Sequence, residues 1–144
     1  MIRAVLDCNV VVSGVIRQAG APGQLLKAGL EAGKFTLVTS PFLLQEVAET
    51  LWEEKIRKYH RWDQGQLLAF VARLHRQSQV TPGQVRLRVI IDDPDDDAVL
   101  ACAKEGNAAY IVTGDGHLLS LGAYEEIKII TPVRFLQVLA EEHG

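Results

Sequence analysis

Four separated groups among the acidic residues of this 144-residue chain could act together: Asp7 closes the apolar run Ile2–Leu6, and Glu46 follows Ser40-Pro41 by a turn or more. A run from Asp92 to Asp97 is broken by Pro94, and Asp115 lies in Gly114-Asp115-Gly116. Carboxylates gathered in one place repel each other at neutral pH, so such a cluster either takes up protons or collects a cation. A hard divalent cation, Mg²⁺ or Mn²⁺, suits it, because these ions prefer oxygen ligands and complete their shells with water and substrate phosphates. Zinc is a poor match. The two cysteines, Cys8 and Cys102, have no CxxC or Cys/His spacing around them, which also argues against a disulfide framework. The chemistry implied is phosphodiester hydrolysis, in which a metal polarises a phosphoryl oxygen, activates a water and stabilises the leaving oxygen. Taken singly, each acid has an ordinary use. Aspartate after a strand is a common turn or cap residue, a helix glutamate is commonly solvated, and an acidic run suits a helix N-terminus. The metal reading therefore depends on the fold bringing them together.

The elements that would do so can be read from the pattern. Ile2–Leu6 is short and mostly apolar, a buried strand with Asp7 at its carboxyl end. Pro22 to Ala32 reads as a helix stopped by Gly33, and Phe35 to Thr39 as a second strand. Ser40-Pro41 is an N-cap and first-turn proline, opening a helix with Leu43, Leu44, Val47 and Leu51 at helical spacing. Glu46 flanks that stripe. Residues 62 to 78 form another amphipathic helix, Pro82-Gly83 a turn, and Val85 to Ile91 an extended run. The acids from Asp92 suit a helix entrance, with Ala98 to Ala103 continuing an Ala-rich helix that stops at Gly106. Ala109 to Thr113 and Ile127 to Ile130 are further strands, and Thr131-Pro132 opens a last helix. Alternating strands and helices imply a parallel sheet covered on both faces, an α/β architecture of three α/β/α layers. In such a sheet ligands bind beyond the carboxyl ends of the strands, where the strand order reverses. Asp7 and Asp115 are expected there, with Glu46 and Asp97 at the same edge.

Length and composition fit one domain over residues 1–144, with a core large enough to need no disulfide. Apolar residues make up 48% of the chain and charged residues 23%, an ordinary globular balance. The N-terminal stretch carries Asp7 and Asn9 within its apolar residues, so neither a signal peptide nor a membrane span is expected and a cytoplasmic location is. A net charge of −3 hides an asymmetry. Between Lys55 and Arg88 stand eight basic residues against one acid, Asp63, whereas the remainder holds seven basic residues against seventeen acids. A basic stretch beside an acidic remainder can hold a polyanion on one surface and a divalent cation on another. Within it, Lys55, Arg57, Lys58 and Arg61 interleave with Tyr59 and Trp62, a pattern suited to single-stranded RNA through phosphate pairing and base stacking. A solvated helix end with Trp62 anchoring the next helix would look the same.

At its acidic sites the sequence resembles the PIN-domain family, in the branch of toxins from toxin–antitoxin systems. LDCNVVVS (Leu6 to Ser13), SPFLLQEV (Ser40 to Val47), DPDDDAVLACA (Asp93 to Ala103) and YIVTGDGHLL (Tyr110 to Leu119) carry the likeness in order along nearly the whole chain. The resemblance implies that Asp7, Glu46, Asp97 and Asp115 form a catalytic, metal-binding quartet, with Asn9 and Thr113 as supporting residues. Asp93 and Asp96 belong to the same D-P-x-D-D string and compete with Asp97 for the inward position. It further implies Mg²⁺- or Mn²⁺-dependent cleavage of single-stranded RNA, an antitoxin partner and a homodimer. His117 is set aside as an exposed loop residue. A haloacid-dehalogenase-like phosphatase is the alternative enzyme, since Asp7-Cys8-Asn9 approaches its D-x-D motif, but Asn9 replaces the acid needed to protonate the leaving group. A scaffold that binds RNA or protein without turnover is the non-enzymatic alternative.

Overall fold

The computed structural model describes residues 1–89 and 93–143. Among them, β1 (Arg3–Leu6), β2 (Thr36–Thr39), β3 (Gln79–Val80), β4 (Tyr110–Val112), β5 (Ala123–Tyr124) and β6 (Ile127–Ile130) form one sheet in the order β3-β2-β1-β4-β6-β5. All neighbours pair in parallel except β5 with β6, a short antiparallel edge. The helices are α1 (Cys8–Ile16), α2 (Ala21–Leu30), α3 (Pro41–Leu51), α4 (Glu54–His60), α5 (Gln64–Gln77), α6 (Pro94–Glu105), α7 (Gly116–Leu121) and α8 (Pro132–His143).

Because successive strand residues point to opposite faces, β1 feeds two cores. Ala4 and Leu6 join α1, α2, α3, α5 and α8 around Phe35 and Phe135, whereas Val5 joins α6 and α7 around Leu100 and Ile111. The result is the three-layer α/β/α arrangement expected from the alternating pattern. Phe135 is fully buried and meets Phe35 edge-on, with ring centroids 5.1 Å apart at 87°. Close approach also shapes this layer: a Cβ on Gly14 of α1 would stand 2.6 Å from Leu26 Cδ1 and 2.9 Å from the Pro22 carbonyl oxygen. Only glycine lets α1 lie so near α2.

Several boundaries differ from expectation for physical reasons. The residues after Asp7 form α1 despite the β-branched Val10, Val11, Val12 and Val15, because tertiary burial overrides their weak helix preference. In the expected extended run Val85 to Ile91, residues 85–89 lie outside the sheet, and Ile90 and Ile91 lie outside the described residues. The alternation there is genuine: Leu87 and Val89 pack on the α6–α7 core. It marks one-sided packing of a connection, not a ladder. Arg61 takes a left-handed conformation (φ 58°) at the end of α4, so the basic run ends in a sharp turn. Asp63 then opens α5 with a reciprocal capping box to Gln66.

Candidate metal centre

The chain changes direction across the sheet at β1, whose neighbours are β2 on one side and β4 on the other. Both β1 and β4 end at this crevice, and each is followed by an aspartate that caps a helix. Asp7 caps α1, accepting from the Cys8 backbone N–H at 2.8 Å. Asp115 caps α7, accepting from the Leu118 backbone N–H. Thr113, fully buried between them, joins the two: its hydroxyl donates to Asp7 Oδ2 at 2.7 Å and accepts from the Asp115 backbone N–H at 3.0 Å. The Asp7 backbone N–H in turn donates to the Val112 carbonyl. Asp7 therefore has both oxygens engaged and little rotational freedom.

α3 and α6 supply the other wall. Ser40 caps α3 and Pro41 opens it, which places Glu46 and, one turn later, Thr50 on the face toward the crevice. Asp93 caps α6 by accepting from the Asp96 backbone N–H at 3.2 Å. A cap and the residue three positions on are neighbours in this geometry, so Asp93 and Asp96 lie together. The resulting recess, about 210 Å³, is lined by Asp7, Cys8, Asn9, Glu46, Thr50, Asp93, Asp95, Asp96 and Asp115.

The structure thus gathers Asp7, Glu46 and Asp115 of the expected quartet, together with Asn9, Asp93 and Asp96. It does not bring Asp97 to the lining. Asp97 accepts from the Val89 backbone N–H at 2.9 Å and ties down the preceding connection. Asp96 instead heads the buried stripe Val99, Leu100 and Ala103 on α6, at the i, i+3, i+4, i+7 positions of one helix face. Asp95 and Thr50 line the recess without having been anticipated. So does Cys8, a buried thiol pushed up to about 12 by desolvation. His117, set aside in the sequence, has Nδ1 3.9 Å from Asp93 Oδ2 and 4.0 Å from Asp96 Oδ2. No sequence signal marked it: the short α7, which Asp115 caps, sets its position beside the acids and was not expected.

Crowding shows in the proton affinities. Burial, followed by the charges of Asp95, Asp7 and Asp93, raises Glu46 to about 7. Desolvation and the adjacent Asp115 and Asp93 carboxylates raise Asp96 to about 8. Asp115 moves the opposite way, chiefly through its closeness to Asp96, with the backbone N–H groups at the start of α7 acting in the same direction. Asp7 is raised by burial, opposed by Thr113 and the Cys8 N–H. Asp96 Oδ2 is buried with no donor to satisfy it. An orphan oxygen amid carboxylates is what a cation would satisfy, and the all-oxygen donors around it fit a hard divalent ion. The acidic cluster could therefore bind such a metal.

The basic stretch is distributed. α4 packs against α1 and α3 and so continues from the wall that carries Thr50. On it Lys55, Lys58 and Tyr59 are exposed, and Lys58 Nζ lies 5.3 Å from the Tyr59 ring. Arg57 stacks over Trp52 at 4.6 Å. Trp62 is partly buried, with its ring 5.2 Å from His60 and 5.3 Å from Phe70, as an anchor for α5. Among the described residues no helix is long and apolar enough to cross a membrane.

The fold is similar to that in the crystal structure of PAE2754 from Pyrobaculum aerophilum, with a TM-score of 0.66 at 16% identity over 97% of this chain and 90% of that one. No curated protein sequence matches the chain. The PIN-domain family model matches residues 3–117, well over half of the chain, and the chain belongs to the PIN-domain family, whose fold is nuclease-like.

Proposed function

We propose that this protein is a Mg²⁺- or Mn²⁺-dependent endoribonuclease that cleaves single-stranded RNA, working as a single cytoplasmic domain over residues 1–144. In this reading it is the toxin of a toxin–antitoxin pair and assembles as a homodimer, and its antitoxin masks the acidic crevice with a basic side chain. Family membership leaves no ground for the phosphatase alternative, and the carboxylate cluster argues against a scaffold without turnover. The observation that carries the proposal is the convergence of acids from four elements on one crevice, around a buried carboxylate oxygen that has no donor.

The metal-holding residues in this reading are Asp7, Asp96 and Asp115, with Glu46 and Asp93 beside them; Asp97 keeps a structural role. When bound, the cation supplies Lewis-acid polarisation of the scissile phosphate and lowers the pKa of a coordinated water. The chain's own residues do the rest. Thr113 and the Cys8 N–H hold both Asp7 oxygens, so the carboxylate presents a fixed orientation without reorganising during the reaction. Glu46 stands on the opposite wall, partly buried beside Asp95, Asp7 and Asp93, placed to complete the ligand set or to exchange a proton with a coordinated water. Asn9, exposed at the rim, offers an amide to a phosphate or sugar hydroxyl. Lys55, Arg57, Lys58 and Arg61 on and just beyond α4 attract the RNA backbone.

The test is cleavage of a panel of single-stranded RNAs by the wild type and Asp7→Asn with added Mg²⁺ or Mn²⁺. The wild type should cleave and the variant should lose about 100-fold or more, beyond the 10–100-fold typical of residues that merely support a metal ligand. Equal cleavage by the two proteins would defeat the proposal.

A further inference from the structure

We propose that His117 is itself a ligand of the divalent cation, making the Asp93–Asp96–Asp115 end of the crevice a mixed nitrogen–oxygen site that favours first-row transition cations such as Mn²⁺ over Mg²⁺. This rests on the metal-centre reading above and adds a residue and an ion preference to it. One ligand atom each from Asp93, Asp96, Asp115 and His117 lie within 4.8 Å of one another. Ligands on opposite sides of an ion with bonds of about 2.1–2.2 Å stand about 4.3 Å apart, so a single cation can bridge this group after small side-chain adjustments. The imidazole distances, 3.9 and 4.0 Å to Asp93 and Asp96, are too long for hydrogen bonds. They leave a gap between nitrogen and oxygens.

The second observation is independent of that spacing. Asp96 is 7% exposed, and its Oδ2, the same oxygen that His117 Nδ1 faces, has no hydrogen-bond partner. A buried acceptor left without a donor points to an unseen cation or water. The chemistry of the fourth atom then sets the preference. Mg²⁺ demands oxygen ligands and sheds water reluctantly, whereas imidazole suits transition ions. The plainer role for His117 is that of a protonated counter-ion, which could not ligate because both ring nitrogens would carry protons. The two roles differ in observable ways.

The experiment measures Mn²⁺ and Mg²⁺ affinities by calorimetry for the wild type and His117→Gln, and records pulsed EPR spectra of both proteins loaded with Mn²⁺. The His117 side chain is 73% exposed, so the variant is expected to fold like the wild type. The wild type should show ¹⁴N coupling to Mn²⁺ that the variant lacks. Mn²⁺ affinity should fall about tenfold or more on losing the ligand, while Mg²⁺ affinity should change by less than about threefold because Mg²⁺ can replace the imidazole with water. Mn²⁺ bound by the wild type without the ¹⁴N signal, or equal affinities in both proteins, would overturn the inference and leave the carboxylate centre standing. If the wild type binds neither ion, the reading beneath it fails as well.

Discussion

Consecutive aspartates on a helix cannot share a direction, since each residue turns the side chain by 100°. Asp96 and Asp97 therefore have different environments, one heading a buried stripe and the other holding the Val89 N–H. Asp96→Asn should lower metal affinity and RNA cleavage by about 100-fold or more, and Asp97→Asn should cost less than about tenfold in either; calorimetry with Mn²⁺ and cleavage assays check both, and the reverse order would return Asp97 to the centre. The same crowding predicts a pH dependence in metal-free protein. Glu46 at about 7 and Asp96 at about 8 bind protons more tightly when folded than their ordinary values of 4.5 and 3.8. Their contribution to stability is fully present below pH 4, and it is lost as pH rises through the folded values. Melting in EDTA should therefore occur at a lower temperature at pH 8.5 than at pH 5.5, and saturating Mn²⁺ should raise the midpoint far more at the higher pH. A metal-induced shift equal at both pH values would show that these acids do not face the ion. Part of this site was legible before the fold was known. Asp7 and Asp115 follow strands, and Glu46 follows an N-cap and proline, so their positions are set by short-range signals. The choice between Asp96 and Asp97 depends on helix phase relative to the sheet, which the acidic run itself does not encode.

The strands and helices at the crevice were readable where period and punctuation agreed. Ser40-Pro41, Thr131-Pro132 and the run Ile127–Ile130 mark their elements within a residue or so of where they lie. α1 was not legible, because its valines favour extended backbone locally, and its helical state comes from packing against α2 and α3. The connection at residues 85–89 was legible only as an extended run, because alternation reports one buried face and says nothing about hydrogen-bond partners. The elements also differ in how much they stabilise the site. α8 lies far from the acids in the sequence, yet Phe135 fills the core beneath β1, β2 and β4 through Phe35 and Tyr110. Phe135→Ala should destabilise the protein by about 3–5 kcal/mol, read from denaturant unfolding. Metal affinity should be unchanged in the fraction that remains folded. A loss below about 1 kcal/mol would mean that α8 is not integral to this core.

At the scale of the whole molecule, the proposed function asks a net negative protein to attract a polyanion, and the two charge types are separated in space. The acids concentrate at the crevice, whereas Lys55, Lys58 and Arg61 stand exposed on and just beyond α4, which packs beside the crevice wall. Arg57 is different. It stacks on Trp52 and its Nε is buried without a partner, so its removal would disturb packing as well as charge. The exposed three give the cleaner test. If they contact RNA phosphates, the triple variant Lys55→Ala, Lys58→Ala, Arg61→Ala should bind single-stranded RNA more weakly and with a flatter salt dependence. Each lost contact removes about 0.7 from the slope of log affinity against log salt, so the slope should fall by about 2. Binding is best measured by fluorescence anisotropy with a catalytically silent Asp7→Asn background, so that the RNA survives. Mn²⁺ affinity, measured with Asp7 intact, should stay within about twofold, because none of the three cations lines the acidic recess and exposed charges are screened by salt. An unchanged salt slope would mean that these cations only keep α4 solvated and that the RNA crosses another face.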